Sequence, residues 1–169
     1  PRLMLDEMLA SRSKSHPELE SRLRRAVENT GQVSFAFPEP WEDTASLAAN
    51  AAADVLDRQD PANGNYRYIA VGSETAIDHS KPVASYVQGM LKSAGYKLQP
   101  MMTTFEVKHA CAGGTTALLT TAALLGFSGV PEDRGLVICS DISRYDAPST
   151  AEITQGSGAV AMLVEQNPR

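Results

Sequence analysis

Phe105-Glu106-Val107-Lys108-His109-Ala110-Cys111-Ala112-Gly113-Gly114-Thr115 is the stretch on which the reading of this chain turns. An apolar strand runs into a cysteine, and two glycines then open a long uncharged helix. The first turn of a helix carries unpaired N–H groups and the positive end of the helix dipole, both of which stabilise a thiolate. The same N–H groups can hold the oxyanion formed when a thioester is attacked. Cys111 therefore reads as the nucleophile of an acyl-transfer reaction. The competing reading is a buried structural cysteine. That description suits Cys139 better, in the apolar run Leu136-Val137-Ile138-Cys139.

Working outward from Cys111, strands and helices alternate. Helical patterns cover Pro17–Glu28, Thr44–Arg58 and Thr115–Leu125, with a further helix between Pro82 and Gly95 that Ser80 can cap. Strand-like runs cover Tyr66–Ser73, Thr103–His109, Gly135–Asp141 and Ala159–Val164, the last two with no helix between them. Leu3, Leu5, Met8 and Leu9 begin the chain with no lead-in strand, Gly31–Pro40 reads as a loop, and Asp60–Asn65 as a polar turn. Such alternation predicts an α/β fold with a mostly parallel sheet and right-handed crossovers. No charge occurs from Ala110 to Pro131. The expectation is a helix buried on all sides within an α/β protein, not a membrane span.

The 169 residues suffice for one ordinary domain, and 43% hydrophobic with 21% charged content is that of a folded soluble protein. A net charge of −5 argues against nucleic acid or an anionic membrane as partner. Two cysteines make no disulfide framework, and no signal peptide precedes the fold, so a cytoplasmic location with reduced thiols is expected. No cluster has metal-ligand spacing, and no permanently bound cofactor is expected.

Glu74 closes the Tyr66–Ser73 strand. Ligands of open α/β sheets gather at the carboxyl ends of strands, so Glu74 and Cys111 are placed to share a cleft in which the carboxylate serves as general acid and base. A helix-capping or salt-bridged glutamate is the alternative. His109, two residues before Cys111, can face the same side of a strand and act as an accessory to the thiol, or be a strand-end histidine with a structural hydrogen bond. His16 and His79 read as surface residues. Gly156-Ser157-Gly158-Ala159-Val160-Ala161 spells a dinucleotide pattern, but it leads into a strand where that fingerprint must open a helix, and NAD binding is rejected.

Taken together, four segments carry a resemblance. They are Ser73-Glu74-Thr75-Ala76-Ile77-Asp78-His79-Ser80-Lys81, Phe105 to Cys111, Ser140-Asp141-Ile142-Ser143-Arg144-Tyr145, and Thr154-Gln155-Gly156-Ser157-Gly158 continuing to Val164. In this order and spacing the chain resembles the N-terminal half of 3-hydroxy-3-methylglutaryl-CoA synthases, thiolase-like condensing enzymes. The resemblance implies residues 1–169 as the nucleophile-bearing half of an αβαβα layered fold with a mostly parallel mixed sheet, without the family's first strand or its C-terminal half. It implies acetyl transfer to Cys111, with Glu74 as general acid and base for condensation with acetoacetyl-CoA or a carrier-protein-linked thioester. Tyr145, Thr154 and Gly156 fall at substrate-pocket positions. Acetyl-CoA and acyl-CoA, or an acyl carrier protein, are the implied substrates, in mevalonate synthesis or polyketide β-branching. A C-terminal half or second subunit is implied to supply a histidine and an asparagine, within a homo- or hetero-oligomer. Ala112 stands where the family usually has an aromatic residue, and Ile153 where it usually has proline. Two other readings stay open, a ketoacyl-synthase-III-like acyltransferase subunit and a structural half-subunit completing a partner's site.

Overall fold

A computed structural model describes residues 1–60 and 65–166. They form two compact units. One comprises Pro1–Glu42 and Ile142–Gly158; the other comprises Asp43–Asp141 and the stretch from Ala159 onward.

In the first unit β1 (Arg2–Met4) leads into α1 (Leu5–Ser15), a 3-10 turn (Pro17–Leu19), α2 (Glu20–Thr30) and β2 (Ser34–Ala36). β1 and β2 pair antiparallel, with Leu3 opposite Phe35. Neither strand was expected, because three residues are too few to display a period of two. α1 buries Leu5, Met8 and Leu9, spaced i, i+3, i+4 on one face. Leu5, Met8, Phe35 and Ile153 make the unit's core, with Leu3, Ala26 and Val27 packed against it. The Arg12 guanidinium grips the Glu152 carboxylate, its Nε donating at 3.1 and 3.0 Å, and the Glu152 side chain is 4% exposed.

The second unit holds the greater part of a four-stranded sheet in the order β4-β3-β5-β6. Its strands are β3 (Tyr66–Gly72), β4 (Thr103–Val107), β5 (Arg134–Ser143) and β6 (Gly156–Glu165). β3 runs parallel to β4, with Gly72 opposite Val107, and parallel to β5, with Gly72 opposite Cys139. Alternation along the strands sorts the side chains onto two faces. Ile69, Val71, Leu136 and Ile138 pack with α3 (Thr44–Leu56) and α4 (Val83–Ser93), where Ala45, Ala48, Ala52, Ala84, Val83, Val87 and Leu91 are buried. Ala70 and Val137 point to the other face and meet Ala117 of α5 (Gly113–Ser128).

Two helix starts differ in kind. Asp43 caps α3 with a reciprocal box, its Oδ1 accepting from Ser46 N at 2.7 Å while Asp43 N donates to Ser46 Oγ at 2.8 Å. α4 was expected to take Ser80 as its cap; its N-cap is Pro82, and the Glu106 carboxylate of β4 accepts from Val83 N at 2.8 Å instead. Ser80 N donates to Asp78 Oδ1. The polar turn expected from Asp60 lies largely outside the described residues.

α5 corrects one expectation. With the turn that precedes it, the helical stretch Ala110–Ser128 is long and apolar enough to cross a membrane by length and composition, but within this chain it is not buried on all sides. Only the stripe Gly113, Ala117, Thr121 and Leu125 is buried, while Leu119 is 66% and Phe127 93% exposed. A uniformly apolar helix gives no pattern from which to choose a face. The choice is made by small residues that let the helix reach the sheet. A Cβ on Gly72 would stand 2.3 Å from Gly114 N, one on Gly114 would stand 2.3 Å from Cys139 Sγ, and one on Gly135 would stand 2.3 Å from Thr121 Cγ2.

Candidate active site

Parallel pairing brings the carboxyl ends of β3, β4 and β5 to one sheet edge, and the candidate catalytic residues of the second unit follow from that register. Cys111 lies four positions beyond the last residue of β4, in a 3-10 turn (Ala110–Ala112) that runs straight into α5. Ala112 N donates to the carbonyl of His109 at 2.9 Å and closes this turn. The turn holds Ala110 at φ 41°, a left-handed conformation that costs a residue with a Cβ on the order of 1 kcal/mol. Gly113 and Gly114 then pack against Gly72 and Cys139, which fixes the start of α5 against the strand ends. Cys111 itself is exposed.

Glu74 follows Gly72 by two residues and is also exposed. Its backbone is anchored by Asp141 of β5. A single carboxylate oxygen, Asp141 Oδ1, accepts from Ser73 Oγ (3.0 Å), Glu74 N (2.9 Å), Thr75 N (3.1 Å) and Thr75 Oγ1 (2.8 Å). Thr44 Oγ1 at the start of α3 donates to the Thr75 carbonyl at 2.8 Å, and Ser140 Oγ donates to the Thr44 carbonyl at 2.8 Å. Asp141 was not among the residues expected at the site. An aspartate closing an otherwise apolar strand was the available signal, since a carboxylate there needs donors.

Farther along this loop, Asp78 Oδ1 accepts from Ser80 N (2.7 Å) and Lys81 N (3.1 Å), and its Oδ2 accepts from Tyr86 Oη (2.8 Å). These bonds, the two backbone donors first, hold its carboxyl at about 2. Lys81 Nζ lies 4.0 Å from the Tyr86 ring centroid.

His109 is placed differently from the expectation. β4 ends at Val107, not at His109, so strand alternation does not carry the imidazole to the thiol's side. Its ring is exposed and makes no hydrogen bond among the described residues. Cys139 is the structural thiol expected of it. Burial pushes its pKa up, with the Asp141 charge adding to the effect.

Tyr145, Thr154 and Gly156 belong to the first unit. Tyr145 is 44% exposed and lines a cavity of about 550 Å³ with Met8, Arg12, Phe37, Arg144 and Gln155. Thr154 Oγ1 donates to the Ala151 carbonyl at 2.9 Å. Gly156 begins β6, where a Cβ would rest 3.7 Å from the Ala36 carbonyl oxygen and Phe35 Cβ. Among the described residues no cluster of His, Cys, Asp and Glu could hold a metal ion.

A mostly parallel sheet with helices on both faces, and a cysteine where a strand end turns into a glycine-opened helix, define the thiolase-like class. The structure superposes on that of MvaS in complex with 3-hydroxy-3-methylglutaryl coenzyme A with a TM-score of 0.78 at 35% identity, over 98% of this chain and 37% of that one. The chain belongs to the hydroxymethylglutaryl-coenzyme A synthase family, whose N-terminal profile matches residues 24–168. The hydroxymethylglutaryl-CoA synthase of Haloferax volcanii is 34% identical over 142 residues, which are 84% of this chain and 32% of that protein. The synthase of the curacin biosynthetic pathway, solved in complex with a holo donor-ACP, gives a TM-score of 0.80 at 31% identity over 99% of this chain and 38% of that one. The chain thus spans about a third of the length of the relatives it matches.

Proposed function

We propose that residues 1–169 form the nucleophile-bearing half of a condensing acyltransferase of the hydroxymethylglutaryl-CoA synthase type. The Cys111 thiolate attacks the carbonyl of an acetyl thioester, and the carrier leaves as its thiol, giving the acetyl-enzyme. Glu74 takes a proton from the acetyl methyl, which the thioester acidifies. The resulting enolate carbon adds to the ketone of an acetoacetyl thioester, whose oxygen takes up the proton returned by Glu74 and becomes a hydroxyl. Water then cleaves the Cys111 thioester. The observation that carries this reading is the register of β3 with β4 and β5, which delivers Glu74 and Cys111 to one sheet edge. The glycine contacts of Gly72, Gly113 and Gly114 hold that junction closed.

Tyr145, Thr154 and Gly156 are assigned to substrate binding, and the cavity that Tyr145 lines supports the assignment for Tyr145. His109 remains an accessory candidate on its closeness in sequence to Cys111 alone. The acyl carrier is coenzyme A or an acyl carrier protein, and relatives solved with each support both. The exposed apolar flanks of α5 support a C-terminal half or second subunit that covers them and contributes the histidine and asparagine of the reaction. A homo- or hetero-oligomer working in the cytoplasm completes the proposal.

Those same exposed flanks favour a second reading, a structural half-subunit that completes a partner's site. Presence of Cys111 and Glu74 together argues for the catalytic one. The test is condensation with acetoacetyl-CoA by the assembled enzyme. Glu74→Ala should leave acetylation of Cys111 intact and abolish condensation; normal condensation by this variant removes Glu74 from the reaction.

A further inference from the structure

The loop that carries Glu74 is tied down near its start by β5 and farther along by the residue that follows β4. At the near end, Asp141 of β5 accepts from the Glu74 and Thr75 N–H groups. At the far end, Lys108 donates from Nζ to the Asp78 carbonyl at 3.0 Å. Lys108 lies three residues before Cys111. This side chain adds to the backbone bond from Ser73 N to the Val107 carbonyl (3.3 Å) in tying the approach to the nucleophile to the loop of the proposed acid–base.

A second feature fixes Lys108 in place. The Glu106 side chain is 6% exposed, and one of its oxygens caps α4 through Val83 N. The other oxygen, Oε1, is buried without a hydrogen bond and faces Lys108 Nζ at 3.8 Å. A buried carboxylate needs a nearby cation. Lys108 follows the last residue of β4, and its ammonium reaches back to the Glu106 carboxylate while Val107 between them packs with Ala70, Ala117 and Val137. The ammonium is thus held by Glu106 on one side and holds the Asp78 carbonyl on the other.

We propose that Lys108 is a positioning residue for Glu74, fixing the far end of its loop relative to the segment that presents Cys111. Lys108 touches no reacting atom. Its loss leaves the thiol in place and loosens the far end of the Glu74 loop, which then keeps, among the described residues, only the Tyr86 bond to Asp78 from outside the loop, so it acts on condensation and not on acetylation. This inference rests on the condensing role proposed for Glu74.

Lys108→Met, Lys108→Arg and the double variant Lys108→Met/Glu106→Gln separate positioning from mere loss of charge balance. The Glu106→Gln change keeps an acceptor for Val83 N while removing the unpaired charge. Hydrogen exchange at Ser80 and Lys81 should quicken roughly five- to tenfold in Lys108→Met and in the double variant, and return toward the original rate in Lys108→Arg. In the assembled enzyme, condensation should fall by about tenfold in those first two variants, with acetylation of Cys111 within about twofold of the parent. Unchanged exchange in Lys108→Met overturns the proposal, as does full recovery of condensation in the double variant. An unsubstituted chain that takes no acetyl group refutes the acyl-transfer reading instead, and the exchange rates then decide by themselves whether Lys108 holds the loop.

Discussion

Replacing Gly114 by alanine drives a new methyl into Cys139. The ideal Cβ at position 114 stands 2.3 Å from Cys139 Sγ and 3.5 Å from Cys139 Cβ. The first distance is far inside contact and the second is ordinary contact, so the whole clash is with the sulfur. Overpacking of this kind costs about 1–3 kcal/mol, against which the helix propensity of alanine over glycine returns about 1 kcal/mol. Gly114→Ala should therefore destabilise the chain by up to about 2 kcal/mol. Cys139→Ala removes the sulfur and should cost about 1 kcal/mol by itself through a small cavity. In the double variant the methyl occupies the space the sulfur leaves, so a urea-denaturation cycle should return a favourable coupling of about 1–2 kcal/mol. Gly72→Ala offers the contrast, because its Cβ would meet backbone atoms, Gly114 N at 2.3 Å and Gly113 C at 2.5 Å. No side-chain substitution can relieve that contact, and α5 must move, carrying Cys111 with it. Additive single effects at Gly114 and Cys139 would refute the packing assigned to the nucleophile's helix.

Iodoacetamide should label Cys111 at least about tenfold faster than Cys139, since Cys111 is exposed and burial raises the Cys139 pKa; peptide mapping after a time course reads this directly. Asp78 titrates at about 2 when folded against an ordinary 3.8, so its contribution to stability is complete above 3.8 and is lost as the pH falls from there through about 2. The difference in thermal midpoint between the parent and Asp78→Asn should hold steady above about pH 4 and close toward about pH 2. In the first unit, Arg12→Met leaves the Glu152 carboxylate without its partner. Because the Arg12 side chain is 32% exposed, the expected loss is about 2 kcal/mol, below the range for a fully buried pair, and Arg12→Met/Glu152→Leu should recover most of it in the urea midpoint.

Legibility in the sequence followed the strength of local pattern. β3 and β5 announced themselves because Ile69, Val71, Leu136 and Ile138 are buried together on one face of a parallel sheet, where strands are apolar almost throughout. α3 was legible as a helix from its run of apolar residues, and the stripe it buries includes Ala45, Ala48, Ala49 and Ala52. β1 and β2 stayed hidden, since a three-residue strand is specified by its partner and not by its own period. The buried face of α5 was also unreadable. Its side chains are apolar all round, and its orientation is set by glycines on other elements, Gly72 and Gly135. At the candidate site, Cys111 and Glu74 were visible as reactive residue types at element ends. The groups that hold them were not. Asp141, Lys108 and Glu106 act across 23 or more residues of chain, and only the sheet's register reveals those partnerships.

Intact-mass analysis after incubation with acetyl-CoA tests the central claim, that Cys111 is an acyl nucleophile. One acetyl group should appear on the unsubstituted chain and on Glu74→Ala, map to the peptide containing Cys111, and be absent from Cys111→Ala. A chain that remains unmodified in its assembled form, or an acetyl group found on Cys139 instead, would contradict the account.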